Sequence, residues 1–210
     1  MRDHSAIVIF AKAPQPGFAK TRLIPALGVD GAAELAAVLL DHTLNECLAT
    51  RATQIILAQS PAPADPAWRD TELLGPIDQW DQGGGDLGDR LARCAAQALA
   101  NYERVLLIGS DAPTLTARLL DAAITTLNSF DAVLTPARDG GYALLGLTRF
   151  DRSLFTNMPW STNRVAAITE QRLRDSGFSV HLTDPVVDID EPEDLDALPA
   201  RLRARLPVTS

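Results

Sequence analysis

The chain has 210 residues, 46% of them hydrophobic and 22% charged, the mixture of a soluble globular protein with room for one large α/β domain. Its net charge of -8 argues against a general nucleic-acid or anionic-membrane surface, which needs a basic face, although a nucleotide needs only a local basic pocket. No apolar run approaches the roughly 20 residues of a membrane span, residues 1–12 lack the order of a signal peptide, and Cys47 and Cys94 are too few for a disulfide framework, so reduced core thiols in the cytoplasm are expected.

Residues 6–11 (Ala-Ile-Val-Ile-Phe-Ala) predict a buried first strand. It feeds a loop over 12–23 that is punctuated by Pro14, Pro16 and Gly17. Lys12 and Lys20 are the only lysines in the chain, and both fall in this loop with Arg22. A lysine is a point charge for phosphate and an arginine a fork matching two phosphate oxygens, while backbone N–H groups around Gly17 can nest an anion. The plainer reading is a solvated loop with incidental charges.

A helix is predicted over 31–50, capped by Asp30, with Leu35, Val38, Leu39, His42 and Leu44 inward. His42 has no partner motif beside it and reads as a satisfied core histidine rather than a ligand. Residues 53–58 predict the second strand, and the proline-rich 60–69 a surface connection. After a short strand over 77–82 come Gly83-Gly84-Gly85-Asp86-Leu87-Gly88-Asp89-Arg90 and a helix reaching Ala100. Glycines opening a helix let backbone close on a base or ribose; equally, they make a flexible loop, with Asp86 and Asp89 serving the helix dipole.

The stretch Val105-Leu106-Leu107-Ile108-Gly109-Ser110-Asp111-Ala112-Pro113 reads as a strand buried on both faces and ending in a carboxylate. Open α/β sheets bind ligands just past such strand ends, where carboxylates can hold Mg²⁺ or Mn²⁺ together with substrate phosphates. The alternative is that Asp111 merely caps a turn. A helix over 116–128, a strand over 131–136, an Asp139-Gly140-Gly141 turn and a strand over 142–147 follow. Trp160 then precedes a helix over 163–176 closed by Gly177, and 178–183 predict the last strand. In Asp188-Ile189-Asp190-Glu191-Pro192-Glu193-Asp194, the later residues suit a helix start. Asp188 and Asp190 alternate with Ile189 and so share one side of an extended segment, as the second half of a metal site would. Residues 199–210, with Arg201, Arg203 and Arg205, read as a solvated tail on a domain over 1–198.

Taken in order, these motifs resemble the radical-SAM/selenodomain-associated transferases, the glycosyltransferase family of arsenosugar biosynthesis, over residues 5–198. That family is similar to 2-phospholactate guanylyltransferase and the molybdenum-cofactor guanylyltransferase. The resemblance implies the GT-A nucleotide-diphospho-sugar transferase fold: three α/β/α layers around a mixed, mostly parallel sheet. It implies that Lys12, Lys20, Thr21, Arg22 and Ser110 lie near nucleotide phosphates, and that Gly85, Asp86, Leu87 and Arg90 border base and ribose. Asp111 and Asp190 would hold the divalent ion, with Asp188 a neighbour or third ligand. Two departures stand out: Gly109 replaces the first aspartate of the common glycosyltransferase signature, and Ala13-Pro14-Gln15-Pro16-Gly17 replaces a glycine-rich loop.

The expectation is therefore a Mg²⁺- or Mn²⁺-dependent transferase using a nucleotide-sugar and a small-molecule acceptor. Lys20, Arg22 and Asp111 would carry the catalysis, and Asp139, Gly140, Gly141, Tyr142 and Trp160 would contact the acceptor. The alternative is nucleotidyl transfer from a nucleoside triphosphate to a phosphorylated or hydroxylated molecule, releasing pyrophosphate. A further alternative is a nucleotide-binding regulator without catalysis.

Overall fold

Period-two alternation on buried strands decides the layering in the computed structural model, which describes residues 4–73 and 75–206. In β1 (Ser5–Lys12), Ile7 and Ile9 face one side of the sheet and Ala6 and Val8 the other, all fully buried. The first side is covered by α1 (Ile24–Leu48) and α3 (Ala117–Thr126), through Leu40, Leu44, Leu120 and Ile124. The second is covered by α2 (Leu87–Leu99) and α4 (Val165–Asp175), through Leu91, Ala95, Ala98 and Leu173. Burial on both faces is why these strands read as unbroken apolar runs.

The remaining strands are β2 (Gln54–Ser60), β3 (Ile77–Asp81), β4 (Arg104–Gly109), β5 (Ala132–Pro136), β6 (Tyr142–Leu147) and β7 (Val180–Leu182). They form one seven-stranded sheet in the order β3-β2-β1-β4-β6-β5-β7. Four of the six pairings are parallel; β6 runs antiparallel to both neighbours. The mixed, mostly parallel three-layer architecture expected from the resemblance is thus present. Chain order reverses direction between β1 and β4, and open α/β sheets bind ligands beyond the strand ends at such a switch point. The loops after Lys12 and Gly109 both open there.

Three features differ from the sequence expectation. First, α1 is broken at Gly28 (φ 73°, ψ 172°): a short helical segment from Ile24, with Pro25 in its first turn, precedes the long predicted helix, in whose first turn Asp30 lies just past the cap position. Second, the segment Thr21–Leu48 is long and apolar enough to cross a membrane by length and composition. Here Leu35, Leu39, Leu40, Leu44 and Cys47 are buried against the rest of the fold. Third, the tail forms the expected short helix, α5 (Ala200–Arg203), but it is not fully solvated: Leu202 is buried with Leu23, Leu35, Ile189 and Leu198. As the sequence predicts, His42 is a core residue: Nε2 sits 2.9 Å from the Pro113 carbonyl oxygen. Both thiols are free and buried. Burial pushes Cys47 up to about 12 and Cys94 to about 11, which keeps them protonated and unreactive.

Candidate active site

Asp111 and Asp190, 79 positions apart in the chain, converge because a backbone bond ties their segments together. The Ile189 N–H donates to the Asp111 carbonyl at 2.9 Å, and the Ile189 side chain is fully buried against α1. Anchoring Ile189 inward turns its neighbours outward, as the alternation predicts. The Asp194 carboxylate accepts from the N–H groups of Asp190 and Glu191 at 3.1 and 2.8 Å. This closes a capping box at the start of the 3₁₀ turn Pro192–Ala197.

Lys20 stands between the two aspartates. Its ammonium lies 2.7 Å from Asp111 Oδ1 and 3.0 Å from Asp190 Oδ1, and donates to the Ile189 carbonyl at 2.6 Å. Only 5% of its side chain is exposed. Burial acts against the charge, but the two carboxylates outweigh it and hold the ammonium's pKa above the ordinary lysine value. Reaching this position puts Lys20 in the left-handed region (φ 50°, ψ 39°), a conformation that costs a non-glycine residue about 1–2 kcal/mol. The three-point contact offsets that cost. Arg22 stands on the outer side, 3.6 Å from Asp190 Oδ2 and donating to Glu191 Oε1 at 3.1 Å.

Three hard oxygens thus surround one cation: two carboxylates and a carbonyl. That donor set suits Mg²⁺ or Mn²⁺, which are held by one or two carboxylates plus substrate phosphates. Asp188 does not complete a third carboxylate ligand. Among the described residues no group of three or more His, Cys, Asp or Glu side chains could hold an ion. Asp188 is half-buried, and its pKa is pushed up to about 6, chiefly by burial and then by the Asp139 carboxylate. The Asp139 carboxylate bears on it more strongly than Asp190 does.

Next to this cluster lies a cavity of about 420 Å³. Arg22, Asp190, Asp139 and Asn163 give it a polar side, and Phe10, Leu87, Leu91, Tyr142, Trp160 and Val165 an apolar one. The Tyr142 and Trp160 rings meet edge to face, centroids 6.5 Å apart, and burial raises the Tyr142 phenol above its usual value. Two glycines let the walls close. A Cβ at Gly88 would lie 2.3 Å from the Phe155 carbonyl and 3.0 Å from Trp160 Nε1. One at Gly140 (φ +91°) would lie 2.2 Å from the Asn163 carbonyl. At Gly140 the Ala166 N–H also donates to the glycine's carbonyl, at 2.9 Å, pinning α4 to the turn.

Of the residues singled out in the sequence, the cavity gathers Arg22, Leu87, Asp139, Gly141, Tyr142, Trp160 and Asp190. Lys20 and Asp111 join through the ion pairs. Others serve the scaffold. Asp86 caps α2, accepting from Asp89 N–H at 2.8 Å. Arg90 ties the Gly85 carbonyl to Ser60 Oγ at 3.2 and 3.3 Å. Ser110 presents its carbonyl to Thr43 Oγ1 at 3.4 Å. Lys12 and Thr21 are exposed, and neither lines the cavity. Asn163, Leu91 and Phe10 carry no motif and were not legible as wall residues. Arg93, which grips the Gln82 and Gly84 carbonyls and shapes the glycine loop, was likewise missed.

Comparison with known proteins places this geometry. The family described as "Uncharacterized protein conserved in bacteria (DUF2064)" matches residues 43–162. The 3-phospho-D-glycerate guanylyltransferase of Phenylobacterium zucineum (strain HLK1) is 34% identical over 109 residues, covering 50% of this chain and 48% of that protein. The match therefore spans about half the length of this curated relative. A solved structure from Desulfovibrio desulfuricans G20, provisionally named a nucleotide-diphospho-sugar transferase, is 32% identical, with a TM-score of 0.87 over 95% of this chain and 87% of the other. The CMP:2-keto-3-deoxy-manno-octonic acid synthetase complexed with CTP shares the fold at 12% identity, with a TM-score of 0.59 over 96% of this chain and 99% of that one. The guanylyltransferase and the Desulfovibrio structure bear the names of transferases.

Proposed function

The chain belongs to the DUF2064 family, and we propose that its site transfers a nucleotidyl group from a nucleoside triphosphate to a small acceptor, releasing pyrophosphate. This puts nucleotidyl transfer ahead of the glycosyl transfer first expected from the sequence. The reading rests on one observation above all: Asp111 and Asp190 aim at a single cation position at the switch point of the sheet, 2.7 and 3.0 Å from it. The name of the guanylyltransferase relative favours the triphosphate over the nucleotide-sugar.

In this reading an oxygen of the acceptor attacks the α-phosphorus. The new P–O bond forms as the α–β bridging P–O bond breaks, and the electron pair leaves on pyrophosphate. Asp111 and Asp190, with the Ile189 carbonyl, would hold Mg²⁺ or Mn²⁺. The ion, when bound, supplies neutralisation of the charge that gathers on the phosphate oxygens. Arg22 lies at the cavity edge beside Asp190, placed to fork onto a phosphate. Tyr142 and Trp160 form an apolar wall against which the acceptor is oriented. Asp139, which lines the cavity, and Asp188, whose carboxyl it influences, would give the acceptor end an acidic side.

Glycosyl transfer from a nucleotide-sugar, of the arsenosugar type, remains the second reading. It is favoured by the first loop, where Ala13-Pro14-Gln15-Pro16-Gly17 lacks a glycine run, and by the name given to the Desulfovibrio structure. The deciding assay incubates the protein with Mg²⁺, each nucleoside triphosphate and a panel of phosphorylated and hydroxylated acids. Pyrophosphate formed only with an acceptor supports nucleotidyl transfer. Turnover of nucleotide-sugars to nucleoside diphosphate, without pyrophosphate from any triphosphate, replaces it with the second reading. Nucleotide-dependent thermal stabilisation without either product would leave a binding regulator.

A further inference from the structure

We propose that Lys20 is an exchangeable counter-cation: its ammonium keeps the Asp111–Asp190 pair closed to a free divalent ion and yields it only when a nucleotide's phosphates offer replacement oxygens. The proposal rests on the transferase reading above, but adds an order of events to it. A divalent ion enters with the nucleotide and does not preload the protein.

Shared oxygens carry the argument. An ammonium offers three N–H donors and no acceptor; Lys20 donates to Asp190 Oδ1 and the Ile189 carbonyl and ion-pairs with Asp111 Oδ1 at 2.7 Å. In this position its charge is committed to the two carboxylates, although a phosphate contact is what its place in the first loop predicts. The same three oxygens are the donor set of the proposed ion site, so ammonium and ion claim one space. Two cations in it would repel strongly at a separation of a few ångströms.

Exposure gives the exchange a direction. Lys20 is 5% exposed, whereas the Asp111 and Asp190 side chains are 45% and 40% exposed. Lysine therefore reaches the carboxylates from the interior, and an ion carried by phosphates approaches the same oxygens from outside, where Asp190 lines the cavity. A polyphosphate arriving with its ion brings both a replacement cation for the carboxylates and anionic oxygens for the lysine. Bare Mg²⁺ brings only the first, and would strand a buried ammonium without partners, which is costly. Arginine could not substitute, because its planar fork does not reproduce a three-point tripod. This accounts for a lysine at position 20 in a chain whose other basic residues, Lys12 apart, are arginines.

Two lysines in the whole chain make the test direct. Protein labelled with ¹³C,¹⁵N-lysine gives two side-chain ammonium signals, assigned with the Lys12→Arg variant. The Lys20 signal is expected to show slow proton exchange, to stay in place on addition of millimolar Mg²⁺, and to move when Mg²⁺ and GTP or CTP are added together. A shift of that signal with Mg²⁺ alone overturns the proposal while leaving the transferase reading intact. So does nucleotide binding, seen at Lys12 or backbone amides, with Lys20 unmoved. A second measurement does not depend on choosing the right base. Lys20→Met is expected to bind Mn²⁺ without nucleotide about tenfold more tightly than the unaltered protein, as removal of one adjacent positive charge implies. Equal Mn²⁺ affinity in the two proteins, followed by electron paramagnetic resonance, overturns the exchange. Absence of pyrophosphate and nucleoside diphosphate in the assay above bears instead on the transferase reading.

Discussion

The two ends of the site are built differently. At the ionic end, three oxygens and one ammonium lie within 3.0 Å of each other's partners, and a backbone bond from Ile189 to Asp111 locks their segments. At the end proposed for the acceptor, an aromatic pair and a glycine turn surround a cavity of about 420 Å³, with Arg22 the one cation among its lining residues. The first end is set by short-range electrostatics and the second by shape. In the proposed reaction the first would carry the chemistry and the second the choice of acceptor.

That contrast can be broken most sharply at Asp111. Asp111→Asn is expected to lower turnover by about 10²–10³-fold, the usual loss when one preorganised charge is removed, with little change in acceptor KM; pyrophosphate release under saturating acceptor checks this. Gly140→Ala attacks the other end. A methyl 2.2 Å from the Asn163 carbonyl at φ +91° should destabilise the fold by about 2–4 kcal/mol, read as a fall in the urea midpoint. Trp160→Leu is gentler, and should raise acceptor KM about tenfold while the nucleotide's affinity is unchanged, since it trims one face of an apolar pocket. Equal losses in nucleotide and acceptor affinity would erase the proposed division of labour.

The smallest effect concerns the scaffold beneath both ends. Cys47 keeps its proton to about 12 in the fold, well above an ordinary thiol. Above pH 9 the unfolded chain therefore binds fewer protons than the native one, and stability falls as pH rises, by about 1 kcal/mol per pH unit until the native thiol ionises. Cys94, pushed up to about 11, and the buried Tyr142 phenol act in the same sense, so Cys47→Ala should lessen that slope in alkaline urea titrations without abolishing it. A slope identical to that of the unaltered protein would remove Cys47 from the account.

Much of the ionic end was legible in the sequence because it depends on local patterns. A buried strand ending at Gly109 places Asp111 at the sheet edge, and a fully buried Ile189 sets Asp190 outward. What the pattern did not carry was the direction of Lys20, which follows from a left-handed backbone at one residue and from partners far along the chain. Asp188 shows the limit of alternation as a guide. It shares a side with Asp190 in an extended segment, yet its electrostatic environment is set by burial and Asp139. The acceptor wall was half legible: Tyr142 and Trp160 stand out as aromatics, whereas Asn163 and Leu91 enter it only through the approach of α4 and α2. Asp86 and Arg90 cap α2 and tether the glycine loop, and capping and loop-tethering use the same residue types as phosphate and ribose binding, so the sequence alone does not separate the two roles.

Ile189 also makes the amino-acid economy at the far end of the chain matter to chemistry. Its side chain is wedged among Leu23, Leu35, Leu198 and Leu202, while its N–H grips the Asp111 loop. A terminus cut back before Leu198 would leave that wedge loose, and the slack would travel along one peptide unit to both aspartates. Damage to the last helix should therefore register first as weakened ion capture, at temperatures where the sheet is still whole.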